Sequence, residues 1–139
     1  RHDIHVLAGP HASTFNAYTR SVLVTAVSYG FVEFDANGLT GKYAEWYLPL
    51  TAGTWDLGAW FHKAPNCGII TISVNGSDLG STFNGYASGT STINQKLSVT
   101  GISIAADGLY SIRFRTDSKS ASATDYDIRM SQFYMVRSA

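Results

Sequence analysis

The chain has 139 residues, 45% of them apolar and 14% charged, and its ten basic residues balance ten acidic ones. That length and apolar content suit one domain with one core and exclude wholesale disorder, while zero formal net charge removes the positive field that nucleic acid or an anionic membrane surface would require. A single cysteine, Cys67, excludes an internal disulfide or a Cys-rich zinc site, and no apolar run nears the ~20 residues of a spanning helix, so membrane insertion is not expected.

The chain opens on Arg1 rather than Met, as expected of a processed product or an excised domain. Residues 1–20 mix His, Pro and scattered apolar positions without a sustained period, and are read as an N-terminal arm or linker. From Ser21 to the end the texture is short β-branched and aromatic runs cut by Gly, Asn and Asp, with nothing convincingly helical.

Residues 21–29 and 31–35 are the first clear strands, closed by Ala36, Asn37 and Gly38, a tripeptide tolerant of positive φ. Residues 42–50 alternate, with Trp46, Leu48 and Leu50 on one side and Glu45 and Tyr47 on the other, and Pro49 points to an edge or a strand end. In residues 54–63 Trp55, Leu57, Ala59 and Phe61 share one face, leaving Asp56, Trp60 and His62 on the other. After a break at Ala64, Pro65 and Asn66, Ile70, Ile72 and Val74 alternate up to Asn75-Gly76, the signature of a type I′ hairpin with a short returning strand over residues 77–81.

Residues 82–91 are rich in Gly, Ser and Asn and are expected to form a surface loop carrying Phe83 and Tyr86. Apolar parity flips near Gly101 and again near Ser131 and Gln132, and a β-bulge at each place accounts for it. Between them, Tyr110, Ile112 and Phe114 alternate with Ser111, Arg113 and Arg115 in the cleanest half-buried strand, followed by a polar loop over residues 117–124. The expected fold is all-β: an antiparallel two-sheet β-sandwich, a jelly roll of about eight or nine strands over residues 21–139.

Two stretches, EWYLPLTAGTWDLGAWFHKAPNCGIITISVNG (Glu45 to Gly76) and LYSIRFRTDSKSASATDYDIRMSQFYMVR (Leu109 to Arg137), resemble small galactose-binding-like and carbohydrate-binding jelly-roll modules of structural and tail-associated proteins of double-stranded DNA phages. The resemblance implies a non-catalytic module that decorates a capsid, forms part of a tail or head fibre, or touches a host-surface glycan. It further implies location on the virion, with other virion proteins and a homo-oligomer, by analogy a trimer, as partners. The alternative is a carbohydrate-binding module that recognises a glycan through exposed aromatics.

For that alternative, Trp60, His62 and Tyr47 project away from the expected core and Tyr86 lies in a Gly-rich loop, so their rings are candidates to stack on sugar faces. Asn84, Asp78 and Arg113 are the nearby hydroxyl-binding candidates. The plainer reading covers these aromatics with loops, the arm or a neighbouring subunit. Glu33 and Asp35 on one strand, with Asp125 and Asp127 beside the last, are candidates for a structural calcium such as related modules often carry between early and late strands; solvated strand edges are the plainer reading. No other cofactor is expected. His2, Asp3, His5 and His11 offer metal-ligating groups, but an arm presets no geometry for them.

An enzyme is not expected. Glu33 and Glu45 are the two glutamates, with nothing local to pair them as a glycosidase needs, and GxSxG is absent. Cys67 with His62 is a conceivable nucleophile pair, against which a free Cys is more often a small buried hydrophobe.

Overall fold

In a computed structural model of the chain, residues 3–7, 14–15, 18–24, 29–89 and 94–139 are described, and no helix occurs among them. The strands are β1 (Asp3–Leu7), β2 (Thr14–Phe15), β3 (Tyr18–Val24), β4 (Tyr29–Asp35), β5 (Lys42–Leu50), β6 (Gly53–His62), β7 (Ile69–Val74), β8 (Ser77–Asn84), β9 (Asn94–Ile104), β10 (Gly108–Ser118) and β11 (Ile128–Arg137). One sheet runs β3-β4-β11-β6-β9, with β1 also against β11; the other runs β2-β5-β10-β7-β8. All these pairings are antiparallel. The expected two-sheet sandwich is what forms: among the described residues there are nine strands from Tyr18 onward, preceded by two short ones. Of residues 1–20, Asp3–Leu7, Thr14–Phe15 and the start of β3 take part in the sheets.

Strict alternation decides which face each strand buries. In β6 the side chains of Trp55, Leu57, Ala59 and Phe61 are all buried, and in β10 so are Ile112 and Phe114. Pro49 sits near the end of β5 beyond the two residues, Ala44 and Glu45, that β2 covers, where a missing N–H leaves no gap in that short pairing. Asn75 and Gly76 both take positive φ, 47° and 83°, and join Val74 to Ser77 as the type I′ turn requires.

Both expected bulges are present. On β9, Thr100 and Gly101 oppose Asp56 alone, Gly101 has φ 73°, and parity shifts so that Val99, Ile102 and Ile104 all reach the core. On β11 the register slips between Met130 and Gln132, which turns Ile128, Met130, Phe133 and Met135 inward together. The expected loop over residues 82–91 departs in one respect. β8 continues through Thr82, Phe83 and Asn84, because Phe83 packs against the core and against Phe61 at 5.0 Å, which repays ordering a polar segment.

The core centres on four rings drawn from both sheets. Trp46 meets Phe34, Phe114 and Phe133 edge-on, with centroids 6.1, 5.7 and 5.2 Å away, and Phe114 meets Phe133 at 5.1 Å. Edge-to-face contacts of this kind add to the gain from burial itself. The outward faces of the two sheets therefore lie on opposite sides of a rigid aromatic centre.

Candidate functional site

The candidate residues separate into three places. On the outer face of the second sheet, Tyr43, Glu45 and Tyr47 follow one another along β5, while Ser111 and Arg113 stand beside them on β10 through the pairs Ser111↔Tyr47 and Arg113↔Glu45. Glu45 is buried although it faces outward. Its Oε2 accepts a hydrogen bond from Ser111 Oγ at 2.6 Å and from Arg113 Nε at 2.9 Å, with Arg113 Nη2 at 2.8 Å. Burial alone would raise the Glu45 carboxyl, but donors from Ser111, Tyr47 and Arg113 outweigh it and hold the group below its usual range. The same contact pushes the Tyr47 hydroxyl upward, since it donates to a carboxylate. The Arg113 guanidinium lies 3.8 Å from the Tyr43 ring centroid. The result is a fixed polar frame beside the exposed Tyr47 ring (46% exposed).

The second place is the outer face of the other sheet, where Trp60 lies 5.6 Å from Tyr134, tilted by 49°. A cleft of about 450 Å³ opens here between Asp3, Ile4, Asp56, Trp60, Gln132, Tyr134 and Val136.

The third place is a cluster of carboxylates at one end of the sandwich. Asp35, Asp125 and Asp127 each bring an oxygen within 4.8 Å of the others. Asp127 Oδ1 accepts from Ala36 N (2.7 Å), Asp125 Oδ1 from Gly38 N (2.9 Å) and Tyr126 N (2.7 Å), and Asp35 Oδ1 from Asn37 N (2.8 Å). Asn66 Nδ2 then bridges Asp127 Oδ2 (2.7 Å) to Glu33 Oε1 (2.8 Å). Burial, with Asp125, Asp35 and Glu33 nearby, pushes the Asp127 carboxyl up to about 7 against the opposing Ala36 N–H. Of the four carboxylates expected to gather, Asp35, Asp125 and Asp127 bring oxygens together, and Glu33 adjoins them through its hydrogen bond with Asp127 while also facing Arg129 Nη2 at 3.6 Å. An oxygen-only donor set suits a hard cation, and these three groups would supply about half of the six to eight oxygens that calcium takes.

Structure thus divides the sequence-predicted set. Trp60 stands on one outer face, Tyr47 and Arg113 on the other, so these three do not form one site. His62, expected to be displayed, is instead buried, its ring stacked on Phe31 at 4.7 Å and 13°; the outward position is roofed by a neighbouring aromatic. Tyr86 is half-buried in the bridge to Ala64, and the Oδ1 of exposed Asn84 accepts from Tyr86 N at 3.1 Å. Asp78 pairs with Arg115 at 3.2 Å. His2 and His11 lie outside the described residues. Cys67 is buried with its thiol pushed up to about 12, chiefly by burial, and its Sγ lies 3.9 Å from the backbone oxygen of His62. That thiol stays protonated at neutral pH. Glu33 and Glu45 stand on opposite outer faces and form no acid–base pair.

Sequence reasoning missed Tyr43, Asn66, Lys96 and Tyr134. The one available signal was Gly58, a glycine inside an aromatic strand, where such a residue marks the close approach of another group.

No protein-family model matches the chain, and no curated protein matches it in sequence. Solved structures do match in fold. A xanthan lyase from Paenibacillus is similar over 95% of this chain at 21% identity and a TM-score of 0.74, the chain spanning 13% of that enzyme. The CBM36-1 domain of a multidomain xylanase from the hindgut metagenome of Trinervitermes trinervoides is similar over 99% of both chains at 13% identity and a TM-score of 0.70. A carbohydrate-binding module CBM36, in complex with calcium and xylotriose, is similar over 96% of this chain and 99% of its own at 16% identity and a TM-score of 0.64. None of these likenesses connects the chain to a phage. With its two antiparallel sheets, aromatic centre and outward-facing rings, the chain has the jelly-roll fold of carbohydrate-binding modules.

Proposed function

We propose that the chain is a non-catalytic carbohydrate-binding module that takes a pyranose on the Tyr47 face of the second sheet. One observation carries this reading: a tyrosine ring exposed to solvent beside a carboxylate, a guanidinium and a serine hydroxyl already locked in place by one another. Such a frame presents donors and acceptors to sugar hydroxyls with little left to order on binding, while the C–H face of the sugar covers the ring. The whole-length fold likeness to carbohydrate-binding modules supports it.

Tyr47→Ala is expected to weaken binding to a soluble polysaccharide about tenfold in affinity electrophoresis, the scale of one lost ring contact. Tyr47→Phe, which keeps the ring, is expected to stay within about threefold of the parent if stacking carries the affinity. Equal retardation of Tyr47→Ala and the parent on every polymer tested would reject this face as the site.

A second reading, a virion structural module assembling with other virion proteins or with its own copies, has one observation in its favour. β8 and β9 end their respective sheets and touch each other, and a groove of about 380 Å³ between them is lined by polar residues such as Asp78 and Thr100 together with Leu79 and Val99. Two terminal strands, each with one unpaired edge, are a surface that assembly would cover. If the chain assembles with its own copies, light scattering gives a multiple of 15.0 kDa; the monomer mass, expected of the proposed module, rejects that self-assembly.

A further inference from the structure

The geometry points to a second glycan site on the opposite side of the sandwich from Tyr47, in which Trp60 and Tyr134 form a notch for one neutral pyranose unit. It rests on the reading of the chain as a sugar-binding module, and it adds a separate surface to that reading.

The notch follows from register. Because Leu57, Ala59 and Phe61 point inward on β6, Asp56, Gly58 and Trp60 point outward; on β11 the bulge after Met130 sends Phe133 and Met135 inward and Gln132, Tyr134 and Val136 outward. Pairing sets Tyr134 directly across from Gly58 and Gln132 across from Trp60. The Tyr134 ring lies over the bare backbone of Gly58, where a Cβ would come within 2.8 Å of Oη and 2.6 Å of Cζ. Gly58 therefore provides the space in which Tyr134 lies down beside Trp60, at the cost in strand stability that glycine carries.

The rim is polar and its parts are placed by other elements. Lys96 on β9 pairs with Trp60, and its Nζ is shared by both rings, 5.2 Å from the Trp60 centroid and 5.1 Å from that of Tyr134. Asp56 Oδ1 accepts the Gly101 N–H at 3.1 Å, so the β9 bulge anchors that carboxylate at the cleft edge. Among the described residues, Asp3 and Gln132 also line the cleft.

Size and charge choose the ligand. About 450 Å³ falls within the roughly 300–1,000 Å³ of small-ligand sites. Two flat rings meet the C–H face of a pyranose, and carboxylate, amide and ammonium groups at the rim suit its hydroxyls. The Asp56 carboxylate lines the cleft itself, so a carboxylate or sulfate on the sugar would meet a like charge there, which disfavours uronic acids and sulfated sugars. The site thus takes a neutral hexose or pentose unit. Since the two sheets face away from each other, a module with both sites holds two glycan segments at once.

The test is isothermal titration of the full chain with cellotetraose, xylotetraose, laminaritetraose and mannotetraose, with oligogalacturonate as the anionic control and Trp fluorescence as a second readout. With at least one neutral sugar the parent is expected to bind two ligands per chain and to shift its fluorescence; Trp60→Ala and Gly58→Ala each bind one, Tyr47→Ala keeps the other, and the anionic oligomer leaves the Trp signal unchanged. Gly58→Ala displaces only the Tyr134 ring, so its unchanged thermal melt separates loss of the notch from loss of the fold. Binding that Tyr47→Ala abolishes and neither Trp60→Ala nor Gly58→Ala alters overturns the second site and leaves the first standing. Binding lost in Trp60→Ala and Gly58→Ala but intact in Tyr47→Ala retains the notch and removes the Tyr47 site. A fluorescence response to oligogalacturonate alone overturns the neutral specificity, and silence with every sugar overturns both sites.

Discussion

Phe114→Ala is expected to lower the free energy of unfolding by about 3–5 kcal/mol, the cost of emptying a fully buried aromatic position that cannot collapse. Phe114 has no exposed surface and touches Trp46, Phe61 and Phe133, which come from both sheets. Its loss leaves a void at the centre of the ring cluster that joins the two sheets, and the surrounding rings are too stiff to fill it. Urea titration is the measurement, with an unchanged slope showing that the unfolded state is not altered. Leu109→Ala is the control, because that side chain is 65% exposed, and it is expected to change stability by less than about 0.5 kcal/mol. A Phe114→Ala variant as stable as this control would mean that the two sheets do not pack through the ring cluster.

Asn66→Leu is expected to cost about 2–4 kcal/mol at pH 8, from two hydrogen bonds to charged groups and the desolvation of the acceptors left behind. The leucine keeps the branched shape of asparagine but donates nothing to Glu33 and Asp127, both of which are buried. The deficit is expected to shrink on acidification. Asp127 titrates at about 7 in the folded chain against an ordinary 3.8, so the native state binds the proton more tightly than the unfolded state does. That stabilisation is complete below about pH 4 and is lost as pH rises through about 7. Removing the Asn66 donor disfavours the charged form further, and protonation then relieves what the amide no longer can. Denaturant midpoints at pH 8, 6.5 and 5 measure the effect, and Asp127→Asn is expected to flatten the slope. A deficit equal at all three values would show that Asn66 acts by packing rather than by bridging carboxylates.

Much of the fold was legible because its determinants are local. Side chains of a strand alternate with a period of two, so Trp55, Leu57, Ala59 and Phe61 announce their shared face without knowledge of any neighbour. The turn at Asn75-Gly76 is written in two residues that accept positive φ, and each bulge shows as a break in parity at Gly101 or beside Ser131. Outward-facing positions carry no such certainty. His62 and Trp60 share the same parity, yet the first is covered by Phe31 and the second opens on a cleft.

What the chain determined by itself, then, was the class of fold, the inward residues, the turns and the bulges, all consequences of backbone geometry read over a few residues. Only the tertiary structure decided that Tyr47 and Trp60 belong to opposite faces, that Tyr134 rests on Gly58, and that Asn66 joins Glu33 to Asp127 across 33 and 61 positions of sequence. Those juxtapositions depend on which strands become neighbours and in what register. That choice is made by the packing of the whole core, and no local pattern encodes it.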